Sequence, residues 1–113
     1  MKDRDYKTKR ELLFELFDDT FTQCKNIIMA KNHDYADQGD PYSNFRSSIG
    51  YGVHPITGIM LRVNDKLQRI KTFVEKGRLS VLEESFEDSC NDIINYMILA
   101  KGYYNDELNS RIK

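Results

Sequence analysis

No apolar run in the 113-residue chain approaches the roughly 20 residues that a membrane-spanning helix needs. The opening, MKDRDYKTKRE, has no apolar stretch after its charges and so lacks the form of a signal peptide. Both absences lead us to expect a soluble cytoplasmic protein. An excess of one charge is missing too, since 17 Lys and Arg stand against 18 Asp and Glu. No global field then draws the chain to duplex DNA or to an anionic membrane, and any anion site has to be a local cluster. Cysteines are few: Cys24 and Cys90 lack the close spacing of a zinc or redox motif, and each falls on an apolar helical face. Both read as reduced core thiols. With two histidines, His33 and His54, and no serine elbow, nothing supports a nucleophile triad, and the glycines at 50, 52 and 58 fit neither Gly-rich phosphate-loop fingerprint. Strand patterns, repeats and low-complexity tracts are also absent.

What is present is helical periodicity. From about Lys9 to Lys31 there is no Gly or Pro, and Leu13, Leu16, Phe17, Phe21, Cys24, Ile27 and Ile28 recur at three- and four-residue steps. A second long helix is expected from Pro55–Thr57, where proline suits the first turn, to Lys76 before a stop at Gly77. Its apolar face is Ile56, Met60, Val63, Leu67, Ile70 and Val74. A third starts at the capping box SVLE, Ser80 to Glu83, and carries Leu82, Phe86, Cys90, Ile93, Met97, Ala100 and Tyr104. Running past Gly102 costs it about 1 kcal/mol relative to alanine. His54, before the proline, reads as a capping or turn residue. The expected architecture is all-α: one domain over 1–113, with three long helices and a structured loop or short helix at about 36–54. We expect residues 1–8 and 105–113 to fray. Apolar residues spread around the C-terminal half of the third helix (Ile94, Ile98, Leu99), which predicts burial on a second side and a bundle completed by homo-oligomerisation.

Three polar constellations could carry chemistry. The first is KNHDYADQGDPYSNF, residues 31–45, read as a loop that concentrates Lys31, His33, Asp34, Tyr35, Tyr42, Asn44 and Phe45, with Arg46 next to it. Connections longer than about 12–15 residues tend to be functional or disordered, and the aromatics here argue against disorder. The second is Arg62, Asp65, Lys66 and Arg69, one narrow helical stripe at i, i+3, i+4 and i+7, whose forked and point-charge donors suit phosphate oxygens. Its bland counterpart is a solvated face held by weak i,i+4 pairs. The third is Glu84, Asp88 and Asp92, recurring every four residues with Glu87, Asn91 and Asn95 beside them. Like charges at this spacing repel unless a cation answers them. That cation is either Mg²⁺, held by carboxylates and substrate phosphate, or the basic stripe itself.

KNHDY (31–35), GIMLRVNDKLQRI (58–70) and EDSCNDIINY (87–96) together resemble the first of the nucleotide modification associated domain families, small helical proteins found largely in phages and bacteria. The resemblance spans about residues 31 to 100 and implies a role around nucleotides or nucleic-acid modification. The last motif also looks like the second half of the metal site of MazG-type all-α nucleotide pyrophosphohydrolases, which would place Asp88 and Asp92 on Mg²⁺ with Glu84 or Glu87 as helpers. The paired glutamates of the other half have no counterpart, since that helix offers Asp65 among Arg62, Lys66 and Arg69. Two functions are therefore expected. One is a binding protein whose Lys31, Arg46, Arg62, Lys66 and Arg69 take phosphates while Tyr35, Tyr42 or Phe45 stacks on a base. In a phage setting it would sequester a host nucleotide messenger in the host cytoplasm. The other is a Mg²⁺-dependent nucleoside triphosphate pyrophosphohydrolase using Glu84, Asp88 and Asp92. A third, plainer expectation is a structural or partner-binding module whose charge stripes pair only with each other.

Overall fold

The computed structural model describes residues 6–35, 39–77 and 82–112, with side chains over 6–31, 39–77 and 86–110. Four α-helices follow one another: α1 (Lys9–Tyr35), the single turn α2 (Ser43–Arg46), α3 (Pro55–Lys76) and α4 (Leu82–Ile112), with a 3₁₀ turn at Ser47–Tyr51 after α2. The all-α expectation holds, and the short helical structure inside 36–54 is α2 with its 3₁₀ turn. Helix α3 starts and stops where its punctuation predicts. His54 Nδ1 accepts from the Ile56 amide at 3.1 Å, Pro55 occupies the first turn, and Gly77 ends the helix at φ 61°. The expected cap of the third helix, Ser80 to Glu83, lies outside the described side chains.

Helix α1 opens on a capping box that the sequence reading passed over. The Thr8 amide donates to Glu11 Oε1 at 2.8 Å, and the Glu11 amide donates to Thr8 Oγ1 at 3.0 Å. The backbone hydrogen bond from Thr8, reinforced by its hydroxyl, holds the Glu11 carboxyl below the usual carboxylate pKa. A lowered folded pKa means that this support is complete above the unfolded value and is lost as pH falls through the folded one. Amide protection factors over residues 9–12 are therefore expected to be flat at neutral pH and to fall on acidification below the ordinary carboxylate range. Glu11→Gln should remove that pH dependence, because the side chain no longer titrates while its oxygen can still accept from the Thr8 amide; an unchanged acid profile in the variant would contradict the box.

At its other end α1 runs to Tyr35, so KNHDY is the last helical turn and not the loop that was expected. No Gly or Pro interrupts 31–35, and the first glycine after it is Gly39, at φ 82°. The tail also departs from expectation. Helix α4 continues through 105–112, anchored by Asp106 and Glu107, which meet Arg46 from the 43–46 turn.

Helices α3 and α4 form the body of the fold and run antiparallel. Phe73 stacks on Phe86 at one end, Lys66 meets Asp92 midway, and His54 packs edge-on against Tyr103 at the other. Phe45 from α2 closes a small core with Ile59, Val63 and Ala100, and Met60, Ile93, Tyr96 and Leu99 pack around it. The face of α4 turned to its neighbours differs from the expected one: Ser89, Asn95 and Tyr103 are buried, whereas Met97 and Tyr104 are 46% and 56% exposed. Helix α1 lies along another edge of α4, with the buried Cys24 accepting from Asn95 Nδ2 through its carbonyl at 3.1 Å. The chain is elongated, 58 × 33 × 24 Å with a radius of gyration of 17.6 Å. A compact domain of this length would have about 13 Å.

Two helical glycines differ in what surrounds them. A Cβ on Gly58 would meet Ser48 Oγ at 3.6 Å, an ordinary contact. A Cβ on Gly102 would run into the Tyr42 hydroxyl, and that ring is held by Tyr103 and Arg46. Gly58→Ala is expected to raise stability by about 0.5–1 kcal/mol through helix propensity alone. At Gly102 the same gain is offset by an overpacking cost of about 1–3 kcal/mol, so Gly102→Ala should lower the melting temperature. Equal shifts for the two variants in thermal denaturation would contradict this close approach.

Candidate functional site

The stripe on α3 divides by its angle to the core. At about 100° per residue, Lys66 lies about 40° from the buried line through Ile59, Val63 and Ile70, whereas Arg62 and Arg69 lie about 80–100° away. Lys66 therefore turns in toward α4. It pairs with Asp92 at 2.9 Å, the two side chains keeping 18% and 19% of their exposure. The basic and acidic stripes thus meet within one chain, at this pair. Arg62, Asp65 and Arg69 are exposed, and neither arginine has a carboxylate partner among the described residues. The Arg62 guanidinium sits over the buried Phe45 ring, 5.2 Å from its centroid. That seat takes up one face of the cation, and its N–H fork meets no carboxylate among the described residues.

Arg46 is engaged otherwise. It donates to Asp40 Oδ2 at 2.5 Å and to Asp106 Oδ2, with Glu107 Oε1 at 3.7 Å, and it lies over the Tyr42 and Tyr103 rings at 5.8 and 5.5 Å. Burial works to lower its pKa, but the carboxylates of Asp40, Asp106 and Glu107 outweigh that and hold it above the ordinary guanidinium value. It is a structural clamp between α2 and the end of α4. Tyr42 packs edge-on against Tyr103 with ring centroids 6.2 Å apart. Asn44 is exposed, its carbonyl accepting from Ser47 Oγ at 2.6 Å, and Lys31 is exposed near the end of α1. His33, Asp34 and Tyr35 belong to the last turn of α1, with side chains outside those described.

Of the acidic trio, Asp88 is exposed, Asp92 is bound to Lys66, and the Glu84 side chain lies outside those described. Among the described residues no three His, Cys, Asp or Glu side chains stand together in a way that could hold a metal ion. Beside Asp92 is a polar seam between α1 and α4. Asn91 Nδ2 donates to Gln23 Oε1 at 3.3 Å, and Asn95 Oδ1 is buried without a partner among the described residues. Burial, then the Asp92 charge, raises the Cys24 thiol pKa, and burial, then Glu87, raises that of Cys90. Both stay protonated and unreactive at neutral pH.

Sequence reading gave Asp40 no role of its own and missed Asp106, Glu107 and Tyr103, which with it surround Arg46. The one sequence signal was Gly102, a glycine inside a helical pattern, which marks a close approach of another chain segment. Two surface depressions of about 190 and 460 Å³ share His54 and Tyr103 at the start of α3. Neither Arg62, about two helical turns away, nor Arg69 lines them.

The sequence profile of the family described as Nucleotide modification associated domain 1 matches residues 31–101. No curated protein and no solved structure matches the chain. The matched stretch takes in the last turn of α1, the α2 segment, all of α3 and most of α4, so it contains both charged stripes. No helix among the described residues is long and apolar enough to cross a membrane.

Proposed function

We propose that this chain, which belongs to the Nucleotide modification associated domain 1 family, binds the phosphates of a nucleotide or nucleotide-derived small molecule on the outer face of α3. The observation that carries this reading is the division of the basic stripe. Lys66 is neutralised by Asp92, while Arg62, seated on Phe45, and Arg69 on the same stripe have no carboxylate partner among the described residues. Two arginines about two helical turns apart can each fork onto phosphate oxygens. A seat on an aromatic ring limits the rotamer freedom that Arg62 would lose on binding. The exposed Asn44 lies next to Phe45 in sequence and supplies a neutral donor. Self-association of the chain belongs to the same reading.

The test is to incubate the protein with linear and cyclic nucleotides, with and without Mg²⁺, and to identify what is recovered after denaturation. Intact nucleotide is the expected result, with Arg62→Ala and Arg69→Ala each weakening binding roughly tenfold or more. Mg²⁺-dependent release of monophosphate and pyrophosphate would replace binding by hydrolysis. Asp88→Asn would then abolish turnover, as it would not if Asp88 only faces solvent. A panel in which no nucleotide is retained or shifts thermal stability would overturn the reading.

A further inference from the structure

Two apolar stripes have no cover among the described residues. Along α1, Leu13, Phe17, Thr20, Cys24 and Ile27 step by four and three residues and so share one line. At Cys24 that line is buried against α4, where Asn95 and Asn91 bond to α1. Toward the N-terminus it runs off its support. Every side chain from 9 to 19 is exposed, with Leu13 at 51%, Leu16 at 57% and Phe17 at 59%. A helical segment of this length is marginal by itself in water and draws its stability from packing an apolar face. The second stripe is on α4, where Ile94, Met97, Ile98, Tyr104 and Leu108 fall at spacings of three, four and seven residues, share one side of the helix and stand 37–56% exposed. It is a third face of that helix, apart from the edges that meet α1 and α3.

We infer that these two stripes are the halves of one self-complementary interface, the α1 stripe of each copy lying on the α4 stripe of a second copy of the chain. Area supports a stable pairing. With Leu16 and Phe21, at 57% and 66%, flanking the α1 line on either side, nine large apolar side chains stand more than a third exposed on and beside the two stripes. At roughly half of the 150–250 Å² that a large aromatic side chain can bury, taken as an upper figure for the aliphatic ones, they offer at most on the order of 700–1,100 Å² per chain, against about 800 Å² per partner in a stable interface. Reciprocity supports a second copy, because a two-fold axis lets each chain give α1 and receive on α4. Charge argues against lipid as the occupant: Lys9 and Arg10 are followed by Glu15, Asp18 and Asp19, whereas a helix that lies on an anionic membrane carries Lys and Arg on its polar side. The 17.6 Å radius of gyration, above the about 13 Å of a compact domain of this length, agrees with faces that the chain leaves outside its own core. This deepens the self-association part of the proposed function and does not depend on the nucleotide part.

Sedimentation equilibrium of the full chain should give at least twice the 13.3 kDa chain mass at micromolar concentration. Leu13→Asp with Phe17→Asp, and separately Ile98→Asp, should shift the mass to that of one chain. The milder Phe17→Ala and Ile98→Ala, which leave no charge to bury, should each raise the dissociation constant roughly tenfold, and this comparison stands if the aspartate variants unfold. Val74→Asp, at an α3 side chain 67% exposed and off both stripes, should leave the mass unchanged. A wild-type mass of one chain overturns self-association altogether, and co-sedimentation of that monomer with phosphatidylserine vesicles would assign the stripes to lipid. A wild-type oligomer that none of the stripe variants weakens overturns the face while leaving self-association in place.

Discussion

Lys66→Met is expected to destabilise the protein by about 2–3 kcal/mol, and adding Asp92→Leu to restore most of the loss. Removing one partner of a buried ion pair costs about 3–5 kcal/mol because the other charge is left without an answer, and replacing both by apolar groups is often neutral. Here the side chains keep 18% and 19% of their exposure, so water screens part of the loss and the lower figure applies. The stranded Asp92 carboxylate would face the Cys24 thiol, on whose pKa it already acts, and the α1 edge that Asn91 and Asn95 hold. On the order of a 10 °C fall in melting temperature should be seen for Lys66→Met, and a few degrees for the double variant. A Lys66→Met protein that melts like wild type but binds nucleotide far more weakly would move Lys66 from the core pair to the ligand.

Arg46→Ala should cost about 2 kcal/mol, more than an exposed ion pair and less than a fully buried one. It removes a cation that ties Asp40, before α2, to Asp106 and Glu107, near the end of α4, and leaves the carboxylates facing one another. It also strips the guanidinium from the Tyr42 and Tyr103 rings. Because the repulsion that remains is partly solvent-exposed, added salt should recover some of the stability. Arg46→Lys should recover only a part, since an ammonium cannot present a planar fork to two carboxylates. Hydrogen exchange should be raised chiefly over residues 104–110, whose last turns depend on this clamp; an exchange pattern like that of wild type would show that α4 needs no such anchor.

Much of the fold was legible because it rests on local chemistry. The proline and the histidine before it set the start of α3, Gly77 its end, and the three- and four-residue apolar steps the all-α class. The short helical turn inside 36–54 was legible for the same reason, and the motifs in 31–96 carried the family resemblance that the match over 31–101 establishes. Continuation of α1 to Tyr35 was not, since polar residues at a helix end read equally well as loop.

By itself, then, the sequence determined the helices, the start of α1, both ends of α3 and which residues share a stripe, because these follow from backbone stereochemistry within a few residues. Only the tertiary structure decided which member of each stripe is spoken for. A rotation of about 40–60° on α3 separates Lys66, pinned by Asp92, from Arg62 and Arg69, and no periodicity resolves that until α4 is in place. The same holds for Arg46. As a sequence residue it resembles the other basic phosphate candidates, and its three carboxylates come from segments up to about 60 residues away. Burial of Ser89 and Asn95 and exposure of Leu13 and Phe17 reverse what polarity alone would assign. Helix α4 packs against two neighbours at once, and α1 reaches past both.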